Sequence, residues 1–435
     1  MVEKAPSTYK FQASGDLMKL IQRDDVAEIL DFINEEYYYW HKIKRIPLPQ
    51  GITPLELWGI VKLRRRISPT RIQFNKHLFN WNTNNRIQEF LHFLDMNVGG
   101  TLESPYTIPS EDKGRYMISS IMEEAIASSQ IEGAVTTRKI AKEMLRQNKK
   151  PTNKSEQMIV NNYRTIKRIV EIKAQPLNKE NLLEIHKLIA FNTLSNPLEE
   201  GAFREDNDVK LVDMATGQIV HHPPDTAELG NFLNDLYKFF NDEDSKVFIH
   251  PLIKASIIHF MVGYIHPFAD GNGRTARALF YWYLLKKGYW LTEYLSISRM
   301  ILKAKAQYAR AFQYTEVDEH DLTYFIVFNL RVMKLSFDEL RGYIQRKNEE
   351  KKRLSDFMGV EGISYRQSVI LEWFNKDPAL LLTVKETQTR LAVSNGSARN
   401  DLNMLSEKGY LRSKGMNKVT NGYLKGPEFD KLLQG

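Results

Sequence analysis

The stretch that decides the fold is Ile265-His266-Pro267-Phe268-Ala269-Asp270-Gly271-Asn272-Gly273-Arg274-Thr275-Ala276-Arg277. It separates two segments with helical patterns, residues 252–264 and residues 274–287. The proline disfavours helix at the residue before it and so opens a loop. The two glycines can adopt positive φ, which lets successive backbone N–H groups converge on one anion. The stretch therefore predicts an anion site at a helix N-terminus, where free N–H groups and the helix dipole favour phosphate.

The side chains of this stretch add the groups that phosphate chemistry needs. Arg274 and Arg277 are three residues apart and share a helix face, and guanidinium groups match phosphate oxygens. Asp270 is a hard oxygen ligand that suits Mg²⁺ shared with phosphates. His266 has the right type of side chain for a general base near neutral pH. A bare Gly-Asn-Gly-Arg fits a simple turn before a helix, but the whole set favours phosphoryl or nucleotidyl transfer. The P-loop and dinucleotide motifs are absent from the sequence.

This segment resembles the Fic family signature H-P-F-x-[DE]-G-N-G-R-x-x-R at every defined position. The resemblance implies an all-helical domain with a small β-hairpin flap, which looks like residues 208–222, and Gly201-Ala-Phe-Arg204 before it is also similar. It implies Mg²⁺-dependent transfer of AMP from ATP to a Tyr, Ser or Thr hydroxyl of an unidentified target protein, this chain itself being one candidate. His266 would be the general base and Asp270 the Mg²⁺ ligand. The nucleotide-binding residues that the resemblance implies are Gly271, Asn272, Gly273, Arg274, Thr275, Ala276 and Arg277.

A second segment, Ser128-Ser129-Gln130-Ile131-Glu132-Gly133, resembles the inhibitory motif of the same family, [ST]-x-x-x-E-[GN]. We expect it at the end of an inhibitory helix over about residues 115–132. The resemblance implies that Ser128, Glu132 and Gly133 are inhibitory residues. Glu132 would pair with Arg277 and so occupy the guanidinium group needed for the γ-phosphate of ATP. On its own, a Ser and a Glu four residues apart equally fit a solvated helix.

One part of the family pattern is incomplete. Tyr308 is a candidate adenosine contact on a later helix, but the accompanying Asn is not evident. The other histidines show no metal-ligand spacing with acids, and we expect them in the core or on the surface. These histidines are His41, His77, His92, His186, His221, His222, His250, His259 and His320.

The composition excludes several classes of protein. The 435 residues contain no cysteine, which excludes disulfide scaffolds, thiolate metal sites and cysteine nucleophiles. Lys and Arg number 61 against 53 Asp and Glu, a formal charge of +8 that permits anionic partners without requiring them. Residues 1–15 lack the apolar core of a secretory signal, and no apolar run is long enough to span a membrane. We therefore expect a cytoplasmic protein that has no membrane partner.

The C-terminal region has the pattern of a winged helix, with three helices followed by an alternating hairpin. Residues 385–425 carry eight Lys or Arg against three acids, a net charge of +5. This charge permits DNA binding, but it does not distinguish DNA binding from the alternative, a module used for protein contacts or dimerisation.

Taken together, the sequence predicts a mainly α protein in three parts: a helical region over 1–110, a Fic catalytic domain over 111–345 and a winged-helix domain over 355–435. The predicted function is an autoinhibited protein adenylyltransferase that uses ATP and Mg²⁺. One alternative is a Fic enzyme that transfers another group or removes AMP. The other is a DNA-binding regulator whose Fic domain senses a nucleotide. DNA and a second copy of the chain are further candidate partners.

Overall fold

The chain is mainly α-helical, as the sequence predicts. The structure is a computed structural model that describes residues 2–7, 20–99, 113–212, 217–242, 247–358, 362–391, 393–415, 421–427 and 429–432. Within these ranges the strands form only small antiparallel sheets. The chain divides into two compact units, Met1–Leu340 and Arg341–Gly435. No helix in the described ranges is both long enough and apolar enough to cross a membrane.

The elements of the first unit fall into three groups along the chain. The first group is α1 (Asp24–Glu35), α2 (Trp40–Ile43), α3 (Pro54–Ile67), β1 (Thr70–Phe74), β2 (His77–Trp81) and α4 (Asn85–Val98). The second is α5 (Lys113–Ile131), α6 (Arg138–Arg146), α7 (Lys154–Ile172), α8 (Lys179–Ala190), β3 (Leu211–Val212) and β4 (Ile219–His221). The third is α9 (Thr226–Asn241), α10 (Pro251–Ile265), α11 (Asn272–Lys286), α12 (Ile297–Lys303), α13 (Lys305–Val317) and α14 (Thr323–Met358), and α14 runs past the boundary between the units.

The hairpin β1–β2 lies within residues 1–110, the region that the sequence predicts to be helical. Its register pairs Thr70 with Trp81 and Phe74 with His77. Phe74 and Trp81 are buried, so the hairpin carries apolar side chains into the core. Asn75 in the turn has φ +51°, a left-handed conformation that Asn tolerates better than most residues. Short strands with this alternation are easily mistaken for parts of helices when they lie in a helical sequence.

The N-terminal helices share one core with α13 and α14. Trp58 of α3 is buried in the same apolar cluster as Tyr324 of α14. A buried ion pair of 2.8 Å joins Lys62 of α3 to Asp318, which follows α13. The predicted boundary at residue 110 therefore separates parts of the chain that pack together.

The centre of the first unit is the helix pair α10 and α11. Residues 252–262 of α10 are all buried, which is typical of a core helix that is apolar on every side. α11 packs along α10 and is buried from Arg274 to Leu285. The loop between these two helices is therefore held at both ends by rigid core elements.

The second unit consists of α15 (Tyr365–Lys376), β5 (Leu382–Thr383), α16 (Val384–Leu391), α17 (Asn395–Glu407), β6 (Leu411–Gly415), β7 (Asn421–Lys425) and α18 (Phe429–Leu432). The strands form an antiparallel sheet in the order β5-β7-β6. Ile370, Leu402 and Tyr423 lie in its apolar core. This order of elements has the outline predicted for a winged helix, and that assignment stays a prediction. Residues 416–420 of the predicted wing lie outside the described residues.

Candidate functional site

The loop between α10 and α11 presents unpaired backbone donors. α10 ends at His266, which has φ +52° and donates its N–H to the carbonyl of Val262 over 3.0 Å. α11 begins after Gly271, which has φ +86°. The first bond of the helix runs from Thr275 N to Gly271 O over 2.9 Å, so α11 itself supplies no acceptor for the N–H groups of residues 272–274. These groups and the helix dipole lie where the sequence predicts an anion site, and binding of an anion there stays a prediction.

The side chain of His266 is held in the form of a base. Its Nδ1 lies 3.1 Å from the carbonyl oxygen of Gly263. Because a carbonyl only accepts, Nδ1 carries the proton and Nε2 keeps its lone pair. Burial lowers the pKa of His266 to about 4, so the ring is neutral at pH 7. His266 therefore has both the tautomer and the charge that a general base requires.

Arg204 fixes the backbone of the loop from the side of the flap. Its Nε donates to the carbonyl of His266 and its backbone N–H donates to the carbonyl of Pro267, each over 2.9 Å. Arg204 also donates to the carbonyl of Asp206 over 2.9 Å. The buried residue Arg204 thus connects the loop between α10 and α11 to the segment that leads into β3.

Three predicted nucleotide-binding residues use their side chains to support the loop. Asn272 accepts a bond from the N–H of Phe268 over 2.9 Å and donates to its carbonyl over 2.7 Å. Thr275 donates its hydroxyl to the carbonyl of Gly271 over 3.0 Å, and Ala276 is buried. The side chains therefore stabilise the turn, and the backbone N–H of Asn272 is the group that remains for an anion.

His186 was expected only as a core or surface residue, and the structure places it under the loop. Its Nε2 donates to the carbonyl of Asp270 over 2.9 Å, and its Nδ1 accepts from the N–H of Gly201 over 3.1 Å. The ring stacks on Phe268 with centroids 3.6 Å apart. Burial lowers the pKa of His186 to about 4, which keeps it neutral and preserves this pattern of one donor and one acceptor. No local motif marks His186, because only the fold brings α8 to the loop.

The two arginines of α11 are buried beside the free N–H groups. Arg274 and Arg277 are each 2% exposed. Arg274 donates to the carbonyl of Ile189 over 3.1 Å, and its Nη2 lies 3.6 Å from Asp270. Arg274 Nε and Arg277 Nη1 are buried and make no hydrogen bond with the described residues. Buried N–H groups without acceptors are costly, so two of them at a helix N-terminus fit a site that takes an anion.

The carboxylate of Glu132 reaches this site from the end of α5. Its Oε1 accepts from Arg277 Nη2 over 2.9 Å. A Cβ built on Gly273 would lie 2.3 Å from the same oxygen, so the carboxylate rests against the first turn of α11. Only glycine at position 273 leaves this space. Glu132 thus places a negative charge where the N–H groups and Arg277 would bind phosphate.

Ser128 and Gly133 set the position of Glu132. Arg277 donates its Nε to the hydroxyl of Ser128 and its Nη2 to the carbonyl of Ser128, each over 3.0 Å. Gly133 has φ +92°, which ends α5 in a left-handed turn that glycine adopts without strain. Lys305 of α13 donates to the carbonyl of Ile131 over 2.6 Å and satisfies one of the last acceptors of the helix.

Asp270 is the one predicted metal ligand of this loop. Its side chain is 53% exposed, and one oxygen accepts from the N–H of Gly271 over 2.5 Å. Among the described residues no three His, Asp or Glu side chains are close enough to form a metal cage. A single exposed carboxylate beside a phosphate site nevertheless fits Mg²⁺, which binds through one or two carboxylates, substrate phosphates and water.

Tyr308 lies on α13, on the inner side of the site. Its hydroxyl lies 2.8 Å from Nε2 of His259, and burial raises the pKa of Tyr308 to about 12. Burial lowers the pKa of His259 to about 3, so this pair is neutral. The role of Tyr308 in binding adenosine stays a prediction.

The comparison with solved structures identifies the class of fold. A Fic family protein from Desulfovibrio desulfuricans G20 superposes with a TM-score of 0.52 and 19% identity, over 82% of this chain and 99% of that chain. The helical core around the loop is therefore that of the Fic fold.

The sequence comparisons find a similarity to the same family over part of the chain. Residues 176–284 match the Fic/DOC family. The protein adenylyltransferase Fic of Nematostella vectensis is 32% identical over 117 residues, which are 27% of this chain and 25% of that protein. The protein of the same name from Drosophila melanogaster is 33% identical over 110 residues, 25% of this chain and 20% of that protein. The chain thus spans about a quarter or less of the curated relatives that it matches. Through residues 176–284 the chain is similar to the Fic/DOC family.

Proposed function

We propose that the protein is an adenylyltransferase that transfers AMP from ATP to a Tyr, Ser or Thr hydroxyl of a target protein. The observation that carries the proposal is the neutral His266 beside a helix N-terminus that holds two buried arginines. The names of the relatives support the same chemistry. The target is unidentified, and a second copy of this chain is one candidate.

The phosphates of ATP would bind along the first turn of α11. The N–H groups of residues 272–274 would donate to phosphate oxygens, and Arg274 and Arg277 would hold the β- and γ-phosphates. Mg²⁺ bound to Asp270 would neutralise charge on the α- and β-phosphates. This arrangement would fix the α-phosphorus in the line of attack, which is the main task of catalysis in such transfers.

His266 would activate the acceptor hydroxyl. Nε2 takes the proton of the hydroxyl as its oxygen forms a bond to the α-phosphorus. The bond between the α-phosphorus and the oxygen that bridges to the β-phosphate breaks, and pyrophosphate leaves. Arg204 and Gly263 would keep the imidazole in place through the bonds described above.

The flap would position the target segment. β3 and β4 pair antiparallel, with Leu211 opposite His221, and residues 213–216 of the predicted flap lie outside the described residues. Val212 and Ile219 are 44% and 37% exposed. A short strand pair with exposed apolar side chains suits docking of an extended segment by main-chain pairing.

We further propose that Glu132 inhibits the enzyme by competing with phosphate. Its carboxylate pairs with Arg277 and rests on Gly273, so ATP has to displace it before the γ-phosphate can bind. An ATP molecule that binds without this contact would present its α-phosphate out of line.

A labelling assay tests the catalytic proposal. Purified protein is incubated with Mg²⁺ and ATP labelled at the α-phosphate, with and without a lysate, in the Glu132→Gly background. We expect label on protein and its loss in His266→Ala. His92→Ala, a change at an exposed histidine on α4, is the matched control and should leave labelling unchanged. Label that survives His266→Ala contradicts the assignment of the base. Protein that is labelled only when the ATP carries its label at the γ-phosphate contradicts AMP transfer.

We propose that the second unit binds duplex DNA. Its exposed cations include Lys385, Arg399, Arg412 and Lys414, and none of them forms an ion pair with a described residue. Arg399 lies on α17, the helix that would enter the major groove of a winged-helix complex.

Anisotropy measurements with the full chain and a labelled duplex test this second proposal. We expect Arg399→Ala to weaken binding and to lower the salt slope by about one counterion. Lys425→Ala, which removes a cation paired with Asp430 over 2.7 Å, is the control. Absence of binding at low salt would favour a role in protein contacts.

A further inference from the structure

A second cavity lies in the first unit, between the N-terminal helices and α13–α14. Its volume is about 250 Å³. Residues from the turn before α2, from α13 and from α14 line it, and none of the residues assigned to the phosphate site does. Tyr38, Lys42, Arg310, Tyr314, Phe328 and Arg331 are the lining residues that matter for its chemistry.

One wall of this cavity is a stack of aromatic rings. The rings of Tyr39 and Tyr314 are 4.5 Å apart and inclined by 23°. His41 stacks on Tyr314 at 5.3 Å and 27°, and its ring nitrogens lie 2.9 and 3.2 Å from the tyrosine hydroxyl. A preformed stack of this kind offers a flat face to another planar ring.

Three cationic side chains beside the same cavity have no carboxylate partner among the described residues. Lys42, Arg310 and Arg331 are exposed, and none of them pairs with a carboxylate among the described residues. The lining acid, Glu36, is engaged by Arg86. The cavity therefore has an excess of positive charge beside its aromatic wall.

The excess of positive charge contributes to the lowered pKa of His41. Burial lowers the pKa of His41, and the charges of Arg310, Lys42 and Arg45 lower it further. Glu3 acts in the opposite direction with a smaller effect. An anion bound in the cavity would offset the cations and raise the pKa of His41, which provides a local readout of binding.

We propose that this cavity binds a nucleoside monophosphate. The base would lie on Tyr314 and His41, the partly exposed rings of the stack behind which Tyr39 is buried, and the phosphate would contact the guanidinium groups of Arg310 and Arg331. The volume is near the lower limit of small-molecule pockets, about 300 Å³, which suits one nucleotide rather than a dinucleotide. The proposal is independent of the adenylyltransferase activity, because it uses none of the residues of that site.

Titration calorimetry of the full chain with AMP tests the proposal. We expect Arg310→Ala and Arg331→Ala each to weaken AMP binding about tenfold, since each removes a charge-assisted contact. Arg71→Ala, at an exposed arginine of β1 outside the cavity, is the control and should not change the affinity. Saturation with AMP should raise the pKa of the His41 ring, followed by NMR, and the arginine variants should lose this shift at the same AMP concentration.

Other ligands separate the parts of the proposed recognition. Adenosine and inorganic phosphate should each bind at least about tenfold more weakly than AMP, because each lacks one half of the contacts. Phosphate that binds as tightly as AMP, or O-phosphotyrosine that binds more tightly, overturns the assignment of a nucleotide. AMP binding that is absent at about 5 mM, or that is unchanged in both arginine variants, overturns the site. Circular dichroism and thermal melts of the variants show whether they are folded.

Discussion

Replacement of Glu132 by glycine should remove the charge that competes with phosphate at the site. The change removes one contact of Arg277, at 2.9 Å, and leaves its two 3.0 Å bonds to Ser128. Position 132 follows the last residue of α5, so a glycine there does not interrupt the helix. The guanidinium group should therefore stay in place and become available to the γ-phosphate.

The size of the effect follows from the contact that is lost. A hydrogen bond to a charged group contributes about 1.5–3 kcal/mol, and the lower half of that range applies because the Glu132 side chain is 31% exposed. If ATP has to displace this contact before it binds productively, removal should raise the rate of AMP transfer at low ATP about 13- to 45-fold.

The assay compares initial rates of AMP incorporation for the parent chain, Glu132→Gly and Glu132→Gln. Glutamine keeps the shape of the side chain and loses its charge, so its rate should lie between the other two. Glu143→Gln, at an exposed glutamate of α6, is the control for a change of net charge. An unchanged rate in Glu132→Gly, with the chain folded, would refute the argument that the carboxylate occupies the phosphate site.

Four further predictions concern protonation and the residues that support the site. In the Glu132→Gly background the rate should be nearly constant between about pH 6 and 8 and should fall below about pH 5, as His266 protonates; a steep fall between pH 8 and 6 would contradict the low pKa of His266. The pKa values of His186, His259 and His266 are all lowered by burial, so the unfolded chain binds more protons; the free energy of unfolding from urea titrations should therefore decrease from pH 7 to pH 5, and an increase would show the opposite linkage. His186→Ala should lower the free energy of unfolding by about 3 kcal/mol, through loss of two hydrogen bonds and a buried ring, and should reduce labelling, whereas a loss under about 0.5 kcal/mol would remove its role in the loop. Lys305→Ala should raise labelling by less than Glu132→Gly does, because it frees the end of α5 and keeps the carboxylate. No rise in labelling would show that the bond from Lys305 to the carbonyl of Ile131 is not part of the inhibition.

The parts of the site that lie close together in the chain could be predicted from the amino-acid sequence. The turn between α10 and α11 depends on the order of proline and glycine residues, and the spacing of Arg274 and Arg277 fixes their common face. The pairing of Glu132 with Arg277 could be predicted from the resemblance to the family's inhibitory motif, although the two residues are 145 positions apart.

The parts that depend on tertiary packing could not be predicted. His186 reaches Asp270 across 84 residues, and its sequence neighbours resemble those of any amphipathic helix. The side chain of Asn272 satisfies the backbone of Phe268, a role that only the closed loop shows. The packing of α3 against the end of α13 rests on buried pairs such as Lys62 with Asp318, which no local pattern indicates.

The same features that would bind phosphate explain why a carboxylate can block the site at little cost. The free N–H groups of α11 and the unpaired donors of Arg274 and Arg277 favour an anion, and Glu132 places a negative charge beside them while it accepts from Arg277 Nη2. Gly273 provides the space, and Ser128 holds Arg277 in the orientation that serves either anion. In the proposed inhibition carboxylate and phosphate would compete for one set of donors, so its strength would depend on how firmly the end of α5 is held. Control of the enzyme is therefore expected to act on the position of α5, whose last carbonyl is bound by Lys305, rather than on His266 itself.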